Sequence, residues 1–346
     1  MKYLIFLLSL ALFSTQPVLA VELHGAGSSA AAPLYKIWAE AYAKTVNNTI
    51  SYEPSGSSSG IKKIKENNID FGASDVALPQ ADLRKSRLIQ FPSAISGVVV
   101  IVNLPGLKSG DLHLTGDVIA KIFSGQIDQW NDSAIAALNP NLRLPAKTIL
   151  PYVRQDGSGT TYNFTDYLCN VSKAWQLGLG KNFTINWDAK FTQVKGSSSI
   201  SAAIRKIPYA ISYIDYNYVV QDKLDVAQIQ NRDGRFVMPS AEAFSAALAA
   251  SSWKTQGTFE EMLTNKPGQK SWPITMGTFI ILQQSAKNID RSIATLKFFT
   301  WAFMNGDRFV NSVDFVRLPD ALQARVFKEM TTVKDMTGKP LNWTLQ

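Results

Sequence analysis

The sequence is poor in the residues that build disulfides and metal sites, with one cysteine and two histidines in 346 residues. The single cysteine, Cys169, excludes an intrachain disulfide, and a chain of this length can bury an adequate core without one. Its apolar neighbours indicate a buried helix face, which favours a packing role for the thiol. Because His24 and His113 are too few for a zinc or His-rich site, we expect no metal ion and no cofactor.

Long hydrophobic runs are also scarce, and the one that stands out lies at the start of the chain. An apolar run at residues 3–13 follows Lys2 and precedes a small-residue site, Val-Leu-Ala, at residues 18–20. This is the layout of a secretory signal peptide, and the run is shorter than the roughly 20 residues of a transmembrane helix. We therefore predict a cleavable signal peptide at residues 1–20 and a periplasmic mature chain, not membrane-spanning, that begins near Val21. An uncleaved anchor is the less favoured alternative.

The positive charge is spread along the chain. The formal net charge is +8, and no run of lysine and arginine exceeds two residues. A diffuse positive charge favours anionic ligands weakly, whereas nucleic-acid binders usually carry a clustered basic stripe. We therefore expect no nucleic-acid partner.

Strand-like and helix-like patterns alternate, which predicts an α/β fold, and the length suits about two domains of roughly 150 residues. The apolar run at residues 98–102 is typical of a strand buried on both faces. Leu34, Ile37, Trp38 and Ala41 follow helical spacing. Further strands are predicted at 49–52, 69–72, 149–153, 211–214 and 274–282, and further helices from 61 and at 118–123, 164–171 and 293–303.

Three turns rich in glycine and serine each precede a predicted helix: GAGSS at 25–29, GSSSG at 56–60 and DGSGT at 156–160. The first N–H groups of a helix lack intrahelical partners and carry partial positive charge. Glycine lets a ligand approach the backbone, and serine adds a hydroxyl, so such turns bind phosphate or sulfate readily. For any one turn taken alone, simple N-capping is a better explanation than anion binding. Three together, with Arg154 nearby, favour an anion site.

Two charged residues sharpen this hypothesis. The Arg154 guanidinium suits tetrahedral oxyanions, and Asp156 would hold it in place. Asp75 is a carboxylate beside the expected anion, which makes sense if the anion keeps a proton for Asp75 to accept. Phosphate has such a proton near neutral pH and sulfate does not, so Asp75 would reject sulfate. Alternatively, Asp75 is only a turn or N-cap residue at a strand end, and the residues alone leave both interpretations open.

These segments resemble the phosphate-binding component of the high-affinity phosphate ABC transporter, the PstS family. The similarity extends from the signal peptide to the end of the chain. The motifs, in the order of the family, are GAGSS (25–29), GSS (56–58), DFGASD (70–75), LIQFP (88–92), LPG (104–106), QWND (129–132), RQDGSGT (154–160), WPIT (272–275) and GKPL (338–341).

The resemblance implies a type II periplasmic-binding fold with two lobes, crossing strands and the ligand in the cleft. It implies lobes at residues 21–97 plus 275–346 and at 98–274, and a monomer that delivers inorganic phosphate to the permease subunits of an ABC transporter. The implied phosphate ligands are Ser29, Ala30, Ser57, Asp75, Arg154, Ser158, Gly159 and Thr160, with Asp156 as the partner of the arginine.

The chain departs from the family pattern at three places. Ala30 and Ala31 stand where the family usually has Phe-Pro, so the backbone N–H is kept but a bulky wall is lost. Ser59 replaces a common glycine, and KGSSS at 195–199 replaces a Gly-Asn pair. We expect these changes to affect affinity more than ligand class.

Two other functions are compatible with parts of the sequence. GSSSG at 56–60 matches the G-x-S-x-G pattern of serine hydrolases, with Ser58 as nucleophile. A hydrolase needs a histidine base, and the only one that follows, His113, lies in a half-buried strand pattern, which argues against this function. A secreted phosphate-binding protein for sensing or surface attachment would have the same ligand site, and arsenate would fit the same donors.

Overall fold

The computed structural model describes residues 21–46, 48–255 and 258–343, so the predicted signal peptide lies outside the described residues. The strands are β1 Glu22–Gly27, β2 Thr49–Glu53, β3 Phe71–Ser74, β4 Leu88–Val102, β5 His113–Leu114, β6 Leu150–Arg154, β7 Thr192–Val194, β8 Ala210–Asp215, β9 Asp225–Val226, β10 Gln228–Gln230, β11 Phe236–Val237, β12 Thr275–Gln283, β13 Ser285–Ala286 and β14 Lys334–Asp335. The helices are α1 Ala32–Tyr42, α2 Ser57–Lys65, α3 Gln80–Ser86, α4 Gly116–Phe123, α5 Ser133–Leu138, α6 Gly159–Val171, α7 Lys173–Gly178, α8 Gly196–Ile204, α9 Tyr216–Asp222, α10 Ala241–Ala249, α11 Ile289–Asn305, α12 Asp307–Ser312 and α13 Asp320–Met330, with a short 3₁₀ helix at Ser252–Lys254.

Strand β4 joins the two lobes of the molecule. Its first part pairs antiparallel with β12, up to the pair Gly97 and Thr275. Its last five residues pair instead with β8, from Val98 opposite Asp215 onward. The sheet order β2-β1-β3-β12-β4-β8-β6-β7 therefore passes through β4 from one lobe to the other. The two-lobed α/β architecture with crossing strands expected from the sequence is confirmed.

Each lobe has an aromatic core. In the lobe that contains β1, Phe71 meets Phe299 edge to face at 5.1 Å between ring centroids. A Cβ at Gly25 would lie 2.0 Å from the Phe71 ring, so only glycine fits there. In the other lobe, Phe164 of α6 stacks on Tyr213 of β8 at 4.2 Å. These contacts fix the strands whose ends carry the site.

Several predicted elements differ from the observed ones at their ends. Strand β4 begins ten residues before the predicted start at residue 98. Its first part is buried throughout, but Gln90, Ser93 and Ser96 interrupt its apolar residues, so no continuous apolar run marks it in the sequence. Strand β3 is shifted two residues from the prediction at 69–72. Cys169 is half-buried on α6 and packs against the core, and burial raises the pKa of its thiol.

None of the helices in the described part of the chain combines the length and the hydrophobicity that crossing a bilayer requires.

Candidate anion-binding site

The three glycine- and serine-rich turns lie at the carboxyl ends of three strands, β1, β2 and β6. Strand β1 pairs in parallel with β2 and β3, so the turns that follow these strands emerge at one edge of the sheet. In the other lobe, β6 runs parallel to β7 and β8 and leads into the turn before α6. Ligands of open α/β sheets bind at the carboxyl ends of strands, so the turns of both lobes lie where this class of fold binds its ligands.

The second and third turns touch each other across the lobe boundary. The backbone N–H of Ser58 donates to the carbonyl of Gly157 at 3.0 Å. A Cβ built on Gly159 would lie 2.4 Å from Ser57 Oγ and 2.8 Å from Asp75 Cβ. Ser57, Asp75 and the start of α6 therefore line one enclosure.

Arg154 is held from several directions, and its side chain is only 2% exposed. Its Nε donates to Asp156 Oδ1 at 2.7 Å, and its Nη2 donates to the second oxygen of the same carboxylate. Nη1 donates to Ser197 Oγ at 3.2 Å, and Nη2 to Ser29 Oγ at 3.1 Å. The guanidinium thus reaches across the boundary to the first turn while Asp156 fixes its plane.

Asp156 is in turn held by the charge of the Arg154 guanidinium and by a backbone N–H at the start of α8. It accepts a 3.0 Å bond from the N–H of Gly196, the first residue of α8. Burial alone would raise the pKa of Asp156, but its hydrogen bond with the Arg154 guanidinium and the Gly196 N–H hold it below its ordinary value. Asp156 therefore stays ionised and holds the guanidinium of Arg154 toward the enclosure.

Asp75 is a buried carboxylate that accepts from hydroxyl groups. Ser28 Oγ lies 2.6 and 2.7 Å from its two oxygens, Thr278 Oγ1 donates at 3.0 Å, and Ser57 Oγ lies at 3.4 Å. The following helix, α3, has Pro79 as its N-cap, so the side chain of Asp75 does not cap it. Burial raises the pKa of Asp75, although its hydroxyl donors and Arg154 oppose the rise.

The first turn is anchored through its backbone carbonyls. Asn217 Nδ2 donates to the carbonyl of Ala30 at 3.0 Å, and the hydroxyl of Tyr218 donates to that of Ser29 at 3.0 Å. Both donors belong to α9, which follows β8. Ala30 itself is fully buried, so the small side chain that replaces the usual phenylalanine does not leave this turn exposed.

The turn before α6 combines a cap with free helix donors. Ser158 Oγ accepts from the N–H of Thr161 at 3.1 Å, which is N-capping geometry. The N–H of Ser158 donates to the carbonyl of Phe183 at 2.9 Å and is therefore already used. Gly159 and Thr160 occupy the first positions of α6, whose N–H groups have no partner within the helix. Capping and anion binding are thus compatible at this turn.

Three side chains that bond to Asp75 or Arg154 were not predicted from the sequence. Ser28 lies in the first turn, where the resemblance implies that its neighbour Ser29 is the ligand. Ser197 lies in KGSSS at 195–199, a segment that resembles the other turns but in which the sequence shows only a departure from the family pattern. Thr278 is 203 residues from Asp75 in the chain, and no local pattern indicates it.

The residues of the hydrolase alternative have other contacts. The N–H of Ser58 is bonded to the carbonyl of Gly157, and Ser58 is the second residue of α2. His113 lies in β5, paired with β10, and its ring stacks on Phe236 at 4.6 Å. Nothing in these contacts supplies Ser58 with a histidine base.

Together, two α/β lobes that enclose a buried arginine, serines and helix starts define a two-lobed solute-binding protein. In agreement, residues 14–305 match the model of the PBP superfamily domain. The chain is 40% identical to phosphate-binding protein PstS of Pasteurella multocida over 323 residues, covering 93% of this chain and 94% of that protein. It is 39% identical to the PstS protein of Haemophilus influenzae over 300 residues, covering 87% and 90%.

Solved structures agree with the fold. A phosphate-binding protein from Stenotrophomonas maltophilia superposes with a TM-score of 0.65 at 21% identity, over 89% of this chain and 93% of that one. An ABC-type phosphate transport receptor from Vibrio cholerae gives 0.56 at 15% identity, over 86% and 100%. The chain belongs to the PstS family.

Proposed function

We propose that this protein captures inorganic phosphate outside the cytoplasm and delivers it to an ABC-type importer. The observation that carries the proposal is that Arg154 and Asp75, each 2% exposed, are both buried where the turns meet, with Arg154 bonded to Ser29 and Asp75 to Ser28. A guanidinium attracts an oxyanion, whereas a nearby buried acceptor penalises any anion that cannot donate a proton. Phosphate satisfies both groups.

Each residue has a specific part in this scheme. Arg154 neutralises the anion, and Asp156 keeps the guanidinium oriented. Asp75 accepts a hydrogen bond from the ligand. The remaining donors are hydroxyls or backbone N–H groups of the three turns, supplied by Ser29, Ala30, Ser57, Ser158, Gly159 and Thr160.

Binding requires both lobes, because the donors come from each. The pairing of β4 supports lobes of residues 21–97 plus 275–346 and of 98–274, since the change of partner falls between Gly97 and Val98. A ligand held between the lobes favours their approach, which gives the importer a loaded form to recognise.

The remaining parts of the proposal follow from the family and the sequence. Residues 1–20 act as a cleavable signal peptide, and the mature chain works as a periplasmic monomer. It meets the permease subunits of the importer, and it binds phosphate without chemically changing it. The relatives are binding proteins, which supports a binding role over catalysis.

Calorimetry on protein freed of phosphate tests the function. We expect phosphate to bind with heat release from pH 5 to 8 and sulfate to bind at least about 100-fold more weakly, since an unpaired acceptor facing an anion is costly. Asp75→Asn should bind sulfate better, because the amide can donate to it. Equal affinity of the wild-type protein for both anions would contradict the assignment.

A further inference from the structure

Thr278 lies directly across the sheet from Asp75. Strand β12 pairs antiparallel with β3, and Phe279 is opposite Ser74. The same register places Thr278 opposite Asp75, where cross-strand side chains are close enough to bond. Its hydroxyl donates to Asp75 Oδ1 at 3.0 Å, and Thr278 is fully buried.

A bulge in the sheet marks the same position. The register between β12 and β4 shifts between Thr278, opposite Ala94, and Phe279, opposite Pro92. The extra residue on β4 is Ser93, whose hydroxyl donates to the carbonyl of Thr278 at 3.1 Å. Bulges re-aim side chains next to functional sites. The backbone of Thr278 is thus fixed where its hydroxyl meets the carboxylate.

Ser28 completes the arrangement from the first turn, with its Oγ within 2.7 Å of both Asp75 oxygens. Hydroxyl groups that donate to a carboxylate stabilise its ionised form. Without them, a carboxylate that is only 2% exposed would favour its neutral form. Asp75 can accept a proton from a ligand only while it is ionised.

We propose that Thr278 is a specificity-determining residue, which selects for anions that carry a proton by keeping Asp75 ionised and aimed into the site. This inference rests on the phosphate-binding function proposed above. Thr278 acts through Asp75, so it is a positioning residue for the carboxylate. Loss of the Thr278 hydroxyl should change the ratio of phosphate affinity to sulfate affinity more than it changes the phosphate affinity itself.

The direction of the pH effect follows from the two protonation states. An ionised Asp75 repels sulfate, whereas a neutral Asp75 donates a hydrogen bond to it. Selectivity for phosphate is therefore lost as the pH falls through the pKa of Asp75. Burial already raises that pKa, and removal of the Thr278 hydroxyl raises it further. The variant should lose selectivity at a higher pH than the wild-type protein.

The other groups near Asp75 do not produce this difference, because they are the same in both proteins. They are Tyr35 on α1, Tyr52 on β2, Arg154 on β6, Asp215 at the end of β8, Tyr218 on α9, and Glu260 and Glu261 in the loop before β12. Because these groups and phosphate itself titrate in both proteins, their effects cancel when the two pH profiles are compared.

The experiment compares Thr278→Val with Thr278→Ser and the wild-type protein. Valine keeps the shape and removes the hydroxyl, whereas serine keeps the hydroxyl. The affinities for phosphate and sulfate are measured by calorimetry between pH 5 and 8.5. For Thr278→Val, we expect the pH at which the ratio of phosphate affinity to sulfate affinity is halved to rise by about one pH unit. Measured at a fixed pH within the transition, this ratio should fall about tenfold. Serine should restore the wild-type profile.

Three results would overturn the inference. They are a wild-type pH profile in the valine variant, equal weakening of both anions at every pH, and a serine variant that behaves like valine. The last two would show that Thr278 matters for packing alone. Failure of the wild-type protein to bind phosphate is a different outcome, because it would refute the proposed function itself.

Discussion

Gly159 lies where the two lobes meet, and its replacement by alanine tests whether binding needs them to approach this closely. The added Cβ would lie 2.4 Å from Ser57 Oγ, 2.8 Å from Asp75 Cβ and 2.9 Å from Asp75 Oδ2. All of these atoms belong to the opposite lobe. The methyl group should therefore penalise the closed arrangement, while α6 itself accepts alanine better than glycine.

The size of the effect follows from the cost of overpacking. Inserting one carbon into a well-packed site costs about 1–3 kcal/mol. Since about 1.4 kcal/mol corresponds to a tenfold change in affinity, Gly159→Ala should weaken phosphate binding by about 5- to 150-fold. A flexible side chain would reduce the cost, but Asp75 Cβ is next to the backbone and cannot turn away.

Calorimetric titration with phosphate measures this change. Gly178→Ala is a matched control, because Gly178 is also helical and a Cβ there meets no atom within 4 Å. The control should bind phosphate as the wild-type protein does. Unchanged affinity in Gly159→Ala would refute the idea that the ligand is held by lobes packed as they are here.

Two further predictions concern the charged groups. Arg154→Ala should weaken phosphate binding by about tenfold to more than a hundredfold in calorimetry, because hydrogen bonds to charged groups are strong. Arg154→Lys should not restore binding, since lysine lacks the planar guanidinium that bonds to Asp156 and to the enclosure at once. Burial and the nearby Asp75 raise the pKa of Asp215 well above its ordinary value, so the wild-type protein takes up a proton on folding and loses that stability as the pH rises. The thermal unfolding midpoint of Asp215→Asn should therefore exceed that of the wild-type protein by an amount that grows as the pH rises from 5 to 8. A difference that stays constant with pH would contradict this reasoning.

The sequence predicted the fold class and the convergence of the turns because both depend on local patterns. Alternating strands and helices imply parallel strands, and parallel strands bring the turns at 25–29 and 56–60 to one edge. The pairing of Arg154 with Asp156 could be anticipated because only one residue lies between them. The apolar run at 98–102 located the crossing strand, although only its second part.

The partners of Asp75 could not be predicted from local patterns. Thr278 reaches Asp75 through the register of β12 and a bulge opposite Ser93, and both depend on how distant segments pair. Asn217 and Tyr218 likewise hold the first turn only because α9 packs against it from the other lobe. Such contacts arise from tertiary packing, which single-sequence patterns do not record.

The most direct test of the account is a crystal structure of the mature protein grown with phosphate. The account predicts one phosphate ion between the lobes, with one oxygen within hydrogen-bond distance of an Asp75 oxygen and another bonded to the Arg154 guanidinium. A phosphate ion bound to one lobe alone, or one that leaves Asp75 without a contact, would contradict it.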